Sequence, residues 1–140
     1  MTSSGLTPTL GMLWYEDKQA FRVGNVNQWI GDGSIGQGSV MMGGAGSASG
    51  GYAISLGWHN HAWGSSSLAA GSETATNGIG AIALGRRAQA NANYSMAFGL
   101  GSPAGTTPVV SSVSSLGIFM GDQSGYDLST SNRMALVGGD

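Results

Sequence analysis

The sequence contains no cysteine, little charge, few prolines and few large aliphatic side chains. Its 140 residues include 3 prolines, 5 basic and 7 acidic residues, for a formal net charge of −2. The absence of cysteine excludes a disulfide framework, and the low charge argues against nucleic acid or anionic lipid as a partner. No apolar run approaches the ~20 residues of a membrane span, so membrane insertion is not expected. The N-terminus also lacks the basic start and apolar stretch of a signal peptide.

Small residues dominate what is present, led by 26 glycines. Leucine, isoleucine, valine and phenylalanine together number only 26, which is too few for the core of an ordinary globule of this size. Such a shortage would indicate disorder if the net charge were high, but it is low. Glycine does not recur at every third residue, so a collagen helix is excluded. The composition therefore predicts an ordered architecture built from repeats.

Glycine recurs at every seventh position from Gly36 to Gly99, with Ala92 as the one exception. Alternate heptads differ, so the repeating unit has 14 residues. Each glycine would cost a helix about 1 kcal/mol, and no a/d pair of large residues is maintained, which excludes a coiled coil. Two short strands and two turns per unit predict an all-β fold, a β-solenoid with 14 residues per coil. One strand of each unit has the clearer sequence pattern, and we call it the stronger strand. Glycine tolerates the positive φ of a turn. The glycines predicted to form turns after the stronger strand are Gly43, Gly57, Gly71, Gly85 and Gly99.

Small and large residues alternate within the stronger strand, which is the period of a strand with two distinct faces. The large residues are Val40/Met42, Ile54/Leu56, Leu68/Ala70, Ile82/Leu84 and Met96/Phe98. We predict that this large row is enclosed by the coil and that the serine and alanine face lies outside. Packing of that uncharged small face against another copy would explain its composition, so a homo-oligomer is expected.

The segments Ala81-Ile-Ala-Leu-Gly85 and Ser95-Met-Ala-Phe-Gly99 resemble the YadA-type head repeats of trimeric autotransporter adhesins, and the similarity extends over residues 36–101. The resemblance implies a left-handed parallel β-roll and a homotrimer around one axis. It also implies a rigid adhesin module at the cell surface, or extracellular, with a host- or receptor-binding surface.

The flanking segments resemble parts of long fibre-like proteins of bacteria and phages. They are Ala20-Phe-Arg-Val-Gly24 before the repeats, and Ser115–Asp122 and Met134–Gly139 after them. This similarity keeps open an alternative, a structural or receptor-binding segment of a phage or contractile-device tail fibre located in a virion. Neither the chaperone domain of such fibres nor an autotransporter anchor is found here, so an excised fragment or a processed product is expected.

Three segments are predicted along the chain. Residues 1–35 hold several aromatic and charged side chains and form an N-terminal cap, since a solenoid end must be protected from edge-to-edge growth. Residues 36–101 carry the head repeats. Residues 102–140 begin with a proline-containing crossover loop and continue as a C-terminal β segment, with strands at 115–121 and 134–138.

The tripeptide His59-Asn60-His61 is the sharpest local feature, because residues i and i+2 of a strand share one face. Three copies around an axis would bring six nitrogens together, enough for an octahedral transition metal, and some trimeric phage fibres are similar in using His-x-His in this way. The equivalent positions in other coils are Glu73/Ala75 and Arg87/Gln89, which indicates an outward face. No metal site is therefore predicted. The alternative is a metal site formed by His59 and His61.

Trp58 and Trp63 flank the two histidines. Exposed aromatic rings in a coil of small residues could stack on a sugar or anchor a protein, whereas the other interpretation is that they cover a corner or fill an inter-chain groove. The predicted ligand-binding set is Trp58, His59, His61 and Trp63, with a host-surface glycan or a matrix protein as the possible ligand.

The remaining polar residues predict no catalytic chemistry. Glu73 and the Arg86-Arg87 pair are placed to form an ion pair between coils, which adds little stability when exposed. The acidic loop Asp122–Asp127 has too few ligands for a calcium loop and is predicted to be a plain turn. With both histidines in one tripeptide, acid–base or nucleophilic catalysis has little to draw on. No enzyme activity, catalytic residue or cofactor is predicted.

Overall fold

The computed structural model describes residues 11–25, 32–100, 107–121, 123 and 125–138. Within these ranges the chain alternates between long and short strands, interrupted by a 3-10 turn at Asp32–Ser34. The long strands are β1 (Gly11–Tyr15), β2 (Ala20–Gly24), β3 (Val40–Gly44), β5 (Ile54–Trp58), β7 (Leu68–Ser72), β9 (Ile82–Arg86), β11 (Met96–Leu100), β13 (Leu116–Met120) and β15 (Met134–Val137). The short strands are β4 (Ser47–Ala48), β6 (His61–Ala62), β8 (Ala75–Thr76), β10 (Gln89–Ala90), β12 (Val109–Val110) and β14 (Asp127–Leu128).

The long strands form one nine-stranded sheet and the short strands form one six-stranded sheet. The chain passes from one sheet to the other in every coil, so the protein is a parallel β-solenoid of about 6 turns with about 14 residues per turn. The predicted all-β solenoid and its coil length are confirmed. Strand β1 is the exception to the parallel order, since it turns back and pairs antiparallel with β2.

The coils stack in a constant register. Val40 pairs with Ile54, and Gly43 pairs with Gly57, so each 14-residue unit lies directly over the preceding one. The C-terminal coils are longer, because Met96 pairs with Leu116 across the predicted crossover. Strands β13 and β15 appear close to where the sequence predicts them, whereas β12 and β14 were not predicted. Both of these are only two residues long, too short to show an alternation.

The two faces of the nine-stranded sheet are the reverse of the prediction. The serine and alanine face is buried in the lumen of the coil, and the large residues lie outside, where Met42 is 46% exposed and Ile54 is 38% exposed. The lumen is walled on its other side by a buried row of small residues, Ala48, Ala62, Thr76 and Ala90. Between residues 53 and 97 small side chains fill the lumen from both sheets, which leaves no room there for the large row. The prediction that the coil encloses the large row was therefore wrong.

Serine is tolerated in this lumen because its hydroxyl finds a partner inside the roll. Ser39 Oγ donates to the carbonyl oxygen of Gly36 at 2.6 Å, and Ser95 Oγ donates to that of Ala92 at 2.7 Å. Ser67 Oγ accepts from the Thr76 hydroxyl at 2.9 Å. Buried polar groups cost free energy only when they are left unpaired, so the small polar core is compatible with a stable coil.

The predicted turn glycines lie at the ends of the long strands, where successive coils come into contact. At Gly43, φ is +134° and an added Cβ would lie 1.8 Å from the carbonyl oxygen of Gly57. Of the five predicted glycines, those that share both features are Gly43, Gly57, Gly71 and Gly85. Gly99 lies within β11 without a positive φ, and its Cβ would meet the carbonyl oxygen of Arg86 at 2.1 Å. Close stacking of the coils therefore requires these glycines as much as the turn does.

The corner that follows each of these glycines holds a residue with a left-handed backbone that is not glycine. These residues are Ala45, His59, Glu73 and Arg87, with φ values of 55°, 55°, 58° and 50°. A left-handed backbone costs a side chain about 1 kcal/mol or more, yet the stacked coils impose it at the same place each time. The residue types have nothing in common, so the sequence pattern could not reveal this column.

The N-terminal end of the lumen is filled by Arg22, which is fully buried. Its guanidinium donates to the carbonyl oxygens of Phe21, Ser39 and Ala48 at 2.9, 3.0 and 3.1 Å, and to Ser39 Oγ at 2.7 Å. Burial lowers the pKa of Arg22. The same lumen position holds Met41 in the next coil and Ser55 in the coil after it, so the larger side chains fill the first two coils at this end.

The C-terminal end of the lumen is filled differently, by a cluster of apolar side chains. Phe119 is 1% exposed and packs with Val110 and Leu128. Its ring lies 5.7 Å from that of Tyr126, centroid to centroid. A Cβ on Gly117 would lie 2.5 Å from Phe119, so glycine at that position makes room for the ring. A hydrogen-bonded arginine thus fills the lumen at one end of the described roll, and apolar side chains fill it at the other.

Candidate functional site

The outer surface of the six-stranded sheet presents three columns of side chains. Outward residues alternate with lumen residues along each short strand and its flanks, and the pairing of the strands places Ser47, His61, Ala75 and Gln89 one above the other. The corner column is Ala45, His59, Glu73 and Arg87, and the column on the other side is Ser49, Trp63, Asn77 and Asn91. Residues far apart in sequence are therefore neighbours on this surface.

One row of this surface is aromatic and runs across all three columns. The ring centroids of His59 and His61 are 5.2 Å apart in an edge-to-face arrangement, and those of His61 and Trp63 are 4.9 Å apart and stacked. His61 Nδ1 and Trp63 Nε1 both meet the hydroxyl of Ser47, at 2.9 and 3.0 Å. Both rings are thereby held against the preceding coil, and the surface on the other side of the row is left open.

His61 is held in its neutral form. Burial lowers the pKa of His61, and the neighbouring His59 lowers it further. His61 Nδ1 and Ser47 Oγ share a hydrogen bond, and the same hydroxyl accepts from Trp63 Nε1–H. The aromatic row thus presents an imidazole of lowered pKa beside an indole.

A cleft of about 240 Å³ lies on the open side of the aromatic row. Its lining residues are His59, His61, Trp63, Glu73, Thr74, Ala75, Asn77 and Gln89. Ala75 is the smallest member of its column between His61 and Gln89, so the gap in the surface lies above Ala75. The cleft combines an aromatic wall with carboxylate and amide groups.

The polar groups beside Ala75 are held in place by the next coil. Arg87 Nε donates to Glu73 Oε2 at 2.7 Å, which confirms an ion pair between coils. This hydrogen bond lowers the pKa of Glu73. Asn77 Nδ2 donates to Asn91 Oδ1 at 2.6 Å. Because each group is tethered, a ligand would find it already oriented.

Buried Asn60 joins the coils under this surface. Its Nδ2 donates to the carbonyl oxygens of Leu56 and Gly71 at 2.6 and 2.8 Å. Its Oδ1 accepts from the backbone N–H and the hydroxyl of Thr74 at 2.9 and 2.8 Å. All four bonding positions of the amide are used, so Asn60 fixes the corner between His59 and His61 and supports the floor of the cleft.

The structure brings together three of the four predicted ligand-binding residues. His59, His61 and Trp63 line the cleft, whereas Trp58 ends β5 on the other sheet, 59% exposed, with its ring against Gly44. Glu73, Ala75, Asn77 and Gln89 were not predicted as site residues. The signal that could have found them is the 14-residue repeat, which places each of them one or two units after the His-x-His segment.

The histidine pair lacks further ligands for a metal. Among the described residues, no group of three or more histidine, cysteine, aspartate or glutamate side chains is placed to hold an ion. The alternative metal site at His59 and His61 therefore has two candidate ligands among the described residues.

The predicted plain turn at Asp122–Asp127 includes residues 122 and 124, which lie outside the described residues.

The outer face of the nine-stranded sheet carries two parallel columns of apolar side chains. One column is Trp14, Phe21, Val40, Ile54, Leu68, Ile82, Met96, Leu116 and Met134. The other is Met12, Val23, Met42, Leu56, Ala70, Leu84, Phe98, Ile118 and Leu136. We call these two columns the apolar face. A continuous apolar surface of this length marks an interaction site.

Comparison with known proteins agrees with this architecture. The family model of the YadA head domain repeat matches two copies, at residues 48–74 and 77–102. No curated protein and no solved structure gives a significant match to the chain. In the part of the chain that the structure describes, no helix has the length and apolar character to cross a membrane. The two matched segments are thus similar to the YadA head domain repeat.

Proposed function

We propose that three copies of this chain assemble around one axis, with their apolar faces turned inward, to form the rigid β-roll module of a surface-displayed adhesin. The observation that carries the proposal is the apolar face, which the isolated chain leaves outside the roll. YadA head domains are typically trimeric, and the resemblance implies that each roll is left-handed. The assembly would be structural rather than enzymatic and would need no cofactor.

The energetics of a single coil support this assembly. Burial of a large aliphatic side chain contributes about 1.5–3 kcal/mol, yet the lumen between residues 39 and 97 is lined mainly by alanine and serine. The side chains able to contribute that much, such as Ile82 and Leu84, lie outside the roll instead. Association of three copies would bury them, and oligomerisation is a common remedy for a core this small.

The proposed trimer leaves the six-stranded sheet available for a receptor. That sheet faces away from the apolar face across the lumen, so His59, His61 and Trp63 remain on the outside of the assembly. Trp58, which lies beside the apolar face, would instead stand near the boundary between copies. The module would thus bind a host-surface glycan or a matrix protein through one sheet and its own copies through the other.

We also propose that the three predicted segments have separate roles in the module. Residues 1–35 would close the roll at its N-terminal end, a role that the buried Arg22 and the antiparallel hairpin β1–β2 support. Residues 36–101 would supply the repeating shaft. Residues 102–140 would carry the roll past the crossover and close its lumen with Phe119.

The alternative location is the tail fibre of a phage or a contractile device. The observation that favours it is that β2 and β13, from the two fibre-like flanks, extend the nine-stranded sheet without a break, as a spacer shaft would require. The trimer itself would be the same. Labelling with an antibody against the roll would separate the two locations, because it would decorate intact cells in one case and purified particles in the other.

The test of the trimer is the molar mass of the purified chain by light scattering over a concentration series. The expected mass is three times the 14.0 kDa of one chain. The melting temperature should rise with concentration, because an assembled state is favoured by mass action. A stable monomer at micromolar concentration with a melting temperature independent of concentration would overturn the proposal.

A further inference from the structure

We propose that the cleft above Ala75 binds a single uncharged sugar ring. The cleft is built by side chains from three successive coils, with the aromatic row on one side, Glu73, Ala75 and Asn77 in the middle, and Gln89 on the far side. The proposal deepens the receptor-binding role proposed above and rests on it only for the display of this sheet.

The aromatic wall matches the apolar side of a sugar. His61 and Trp63 are stacked at 4.9 Å with their planes inclined by 23°, and Trp63 is 47% exposed. Each ring covers one face of the other and both reach the Ser47 hydroxyl of the preceding coil, so the cleft is bounded by ring edges and by the exposed part of Trp63. A pyranose ring has one side formed by C–H groups, and contact of that side with these aromatic carbons removes apolar surface from water. The aromatic row would contact the C–H side of the sugar, and the polar groups of the cleft would form hydrogen bonds with its hydroxyls.

The polar groups around Ala75 suit hydroxyls because they offer both donors and acceptors. Glu73 supplies acceptor oxygens, while Asn77 and Gln89 supply an amide oxygen and an amide N–H₂ each. Glu73 is held by Arg87 at 2.7 Å and Asn77 by Asn91 at 2.6 Å. Groups that are already ordered lose less conformational entropy when a ligand binds. The cleft is therefore prepared for a hydroxyl-rich ligand before that ligand arrives.

The charge balance of the cleft selects an uncharged sugar. The carboxylate of Glu73 is paired with Arg87, and burial together with His59 lowers the pKa of His61, which favours the uncharged imidazole. No excess positive charge is directed at the gap from the residues that line it. An acidic sugar would have to share the cleft with Glu73, and like charges at close range are unfavourable.

The size of the cleft favours one sugar ring over a protein surface. Its 240 Å³ is below the ≈ 300–1,000 Å³ that drug-sized ligands occupy. A stable protein interface would need ≈ 800 Å² on each partner, whereas the residues beyond the aromatic row are small and polar, such as Ser49 and Asn91. The surface offers one aromatic anchor beside a concave gap, which is the arrangement for a single ring.

The experiment measures binding of defined monosaccharides to the full chain by saturation-transfer NMR and by tryptophan fluorescence. The probes are galactose, glucose, mannose, N-acetylglucosamine and N-acetylgalactosamine, with N-acetylneuraminic acid as the charged comparison. At least one neutral sugar should bind with a dissociation constant in the millimolar range, about −4 kcal/mol. The acidic sugar should bind at least about tenfold more weakly, a difference of about 1.4 kcal/mol.

Two pairs of variants locate the site. Ala75→Leu fills the gap and Trp63→Ala removes the wall, so each should weaken binding by about tenfold or more. Val109→Leu enlarges the same outward column two coils further on, and Trp58→Ala removes the exposed indole of the other sheet; both should bind within about twofold of the parent. Asn77→Ala leaves the shape of the gap intact and tests the hydrogen bonding alone, with an intermediate loss expected. Circular dichroism and molar mass verify the fold of each variant.

The outcomes separate this proposal from the trimer. Sugar binding that Ala75→Leu and Trp63→Ala leave unchanged would overturn the cleft, as would binding of the acidic sugar alone. If no monosaccharide binds and Ala75→Leu prevents the binding of a triple-helical collagen peptide, the proposal is also overturned and the cleft is assigned to a protein ligand. A trimer that binds no sugar refutes only the cleft, whereas a monomer that binds sugar refutes only the trimer.

Discussion

The two sheets of the roll share one lumen but present opposite chemistry on their outer faces. The nine-stranded sheet carries two columns of large apolar side chains that hardly change from coil to coil. The six-stranded sheet carries Ser47, His61, Ala75 and Gln89 in a single column, and these residues differ in size and polarity. The repeat therefore maintains the surface suited to association and lets the opposite surface vary. The proposed binding site lies where the repeat is least regular.

The largest expected effect comes from placing charge on the apolar face. The double variant Leu56→Asp and Ile82→Asp should convert the proposed trimer to a monomer, because each aliphatic side chain buried by association would contribute about 1.5–3 kcal/mol and the loss is repeated in three chains. Light scattering measures the mass. The matched control, Gln89→Asp, puts a charge on the other sheet and should leave the mass unchanged. If both variants remain trimeric, the two sheets do not differ in the way proposed.

A smaller effect is expected where neighbouring coils meet at the ends of the long strands. Gly71→Ala should destabilise the fold by about 3 kcal/mol, because φ is +122° and the new Cβ would lie 1.8 Å from the carbonyl oxygen of Gly85. Gly51→Ala is the control, since its nearest neighbours are 4.0 Å away. Chemical denaturation measures both. Equal stability of the two variants would show that close stacking does not require glycine.

Closure of the lumen at the N-terminal end should contribute less. Arg22→Met keeps the bulk of the side chain and leaves the carbonyl oxygens of Ser39 and Ala48 without the guanidinium. Loss of those buried hydrogen bonds should cost about 1–3 kcal/mol. Hydrogen exchange should accelerate in β2 and β3 while β9 stays protected. Uniform exchange along the roll would mean that Arg22 acts on global stability rather than on that end.

The smallest effect concerns pH and the surface of the six-stranded sheet. Since the pKa of His61 is lowered in the folded chain, the unfolded chain binds more protons below pH 6.5, so stability falls as the pH drops from 6.5 toward the folded pKa. After solvent screening the change should stay under about 1 kcal/mol. His61→Gln should remove this component from the denaturation midpoint measured between pH 7 and 5.

Two other ionisable groups face His61, and their contributions must be separated from its own. His59 lies beside it, and Glu73 projects from the next coil, where its own pKa is lowered mainly by the hydrogen bond from Arg87. Stabilisation from Glu73 is lost only at lower pH, below its ordinary value of 4.5. A pH dependence above 5 that survives in His61→Gln would contradict the assignment to His61.

The glycine ladder together with the difference between alternate heptads determined the coil of 14 residues, because glycine at every seventh position excludes a helix and fits two strands and two turns per unit. The sequence also predicted that His59 and His61 share an outward surface, which the structure shows, although His59 lies at the left-handed corner before β6 and not in the strand. The alternation could not say which of the two faces is enclosed. That depends on the room left in the lumen, which the residues of the six-stranded sheet help to fill, and strands of two residues are too short to show an alternation in the sequence.

The sequence by itself determined the repeat, the β-solenoid and the aromatic row, because these follow from local periodicity and from the conformations that glycine allows. Tertiary structure decided which side chains are buried, since the separation of the two sheets admits only alanine, serine and threonine in most coils. It also decided the composition of the cleft, because the register of the stack brings Glu73, Asn77 and Gln89 beside His61 from positions up to 28 residues away. Local patterns define the unit, and the stacking of units defines the surfaces.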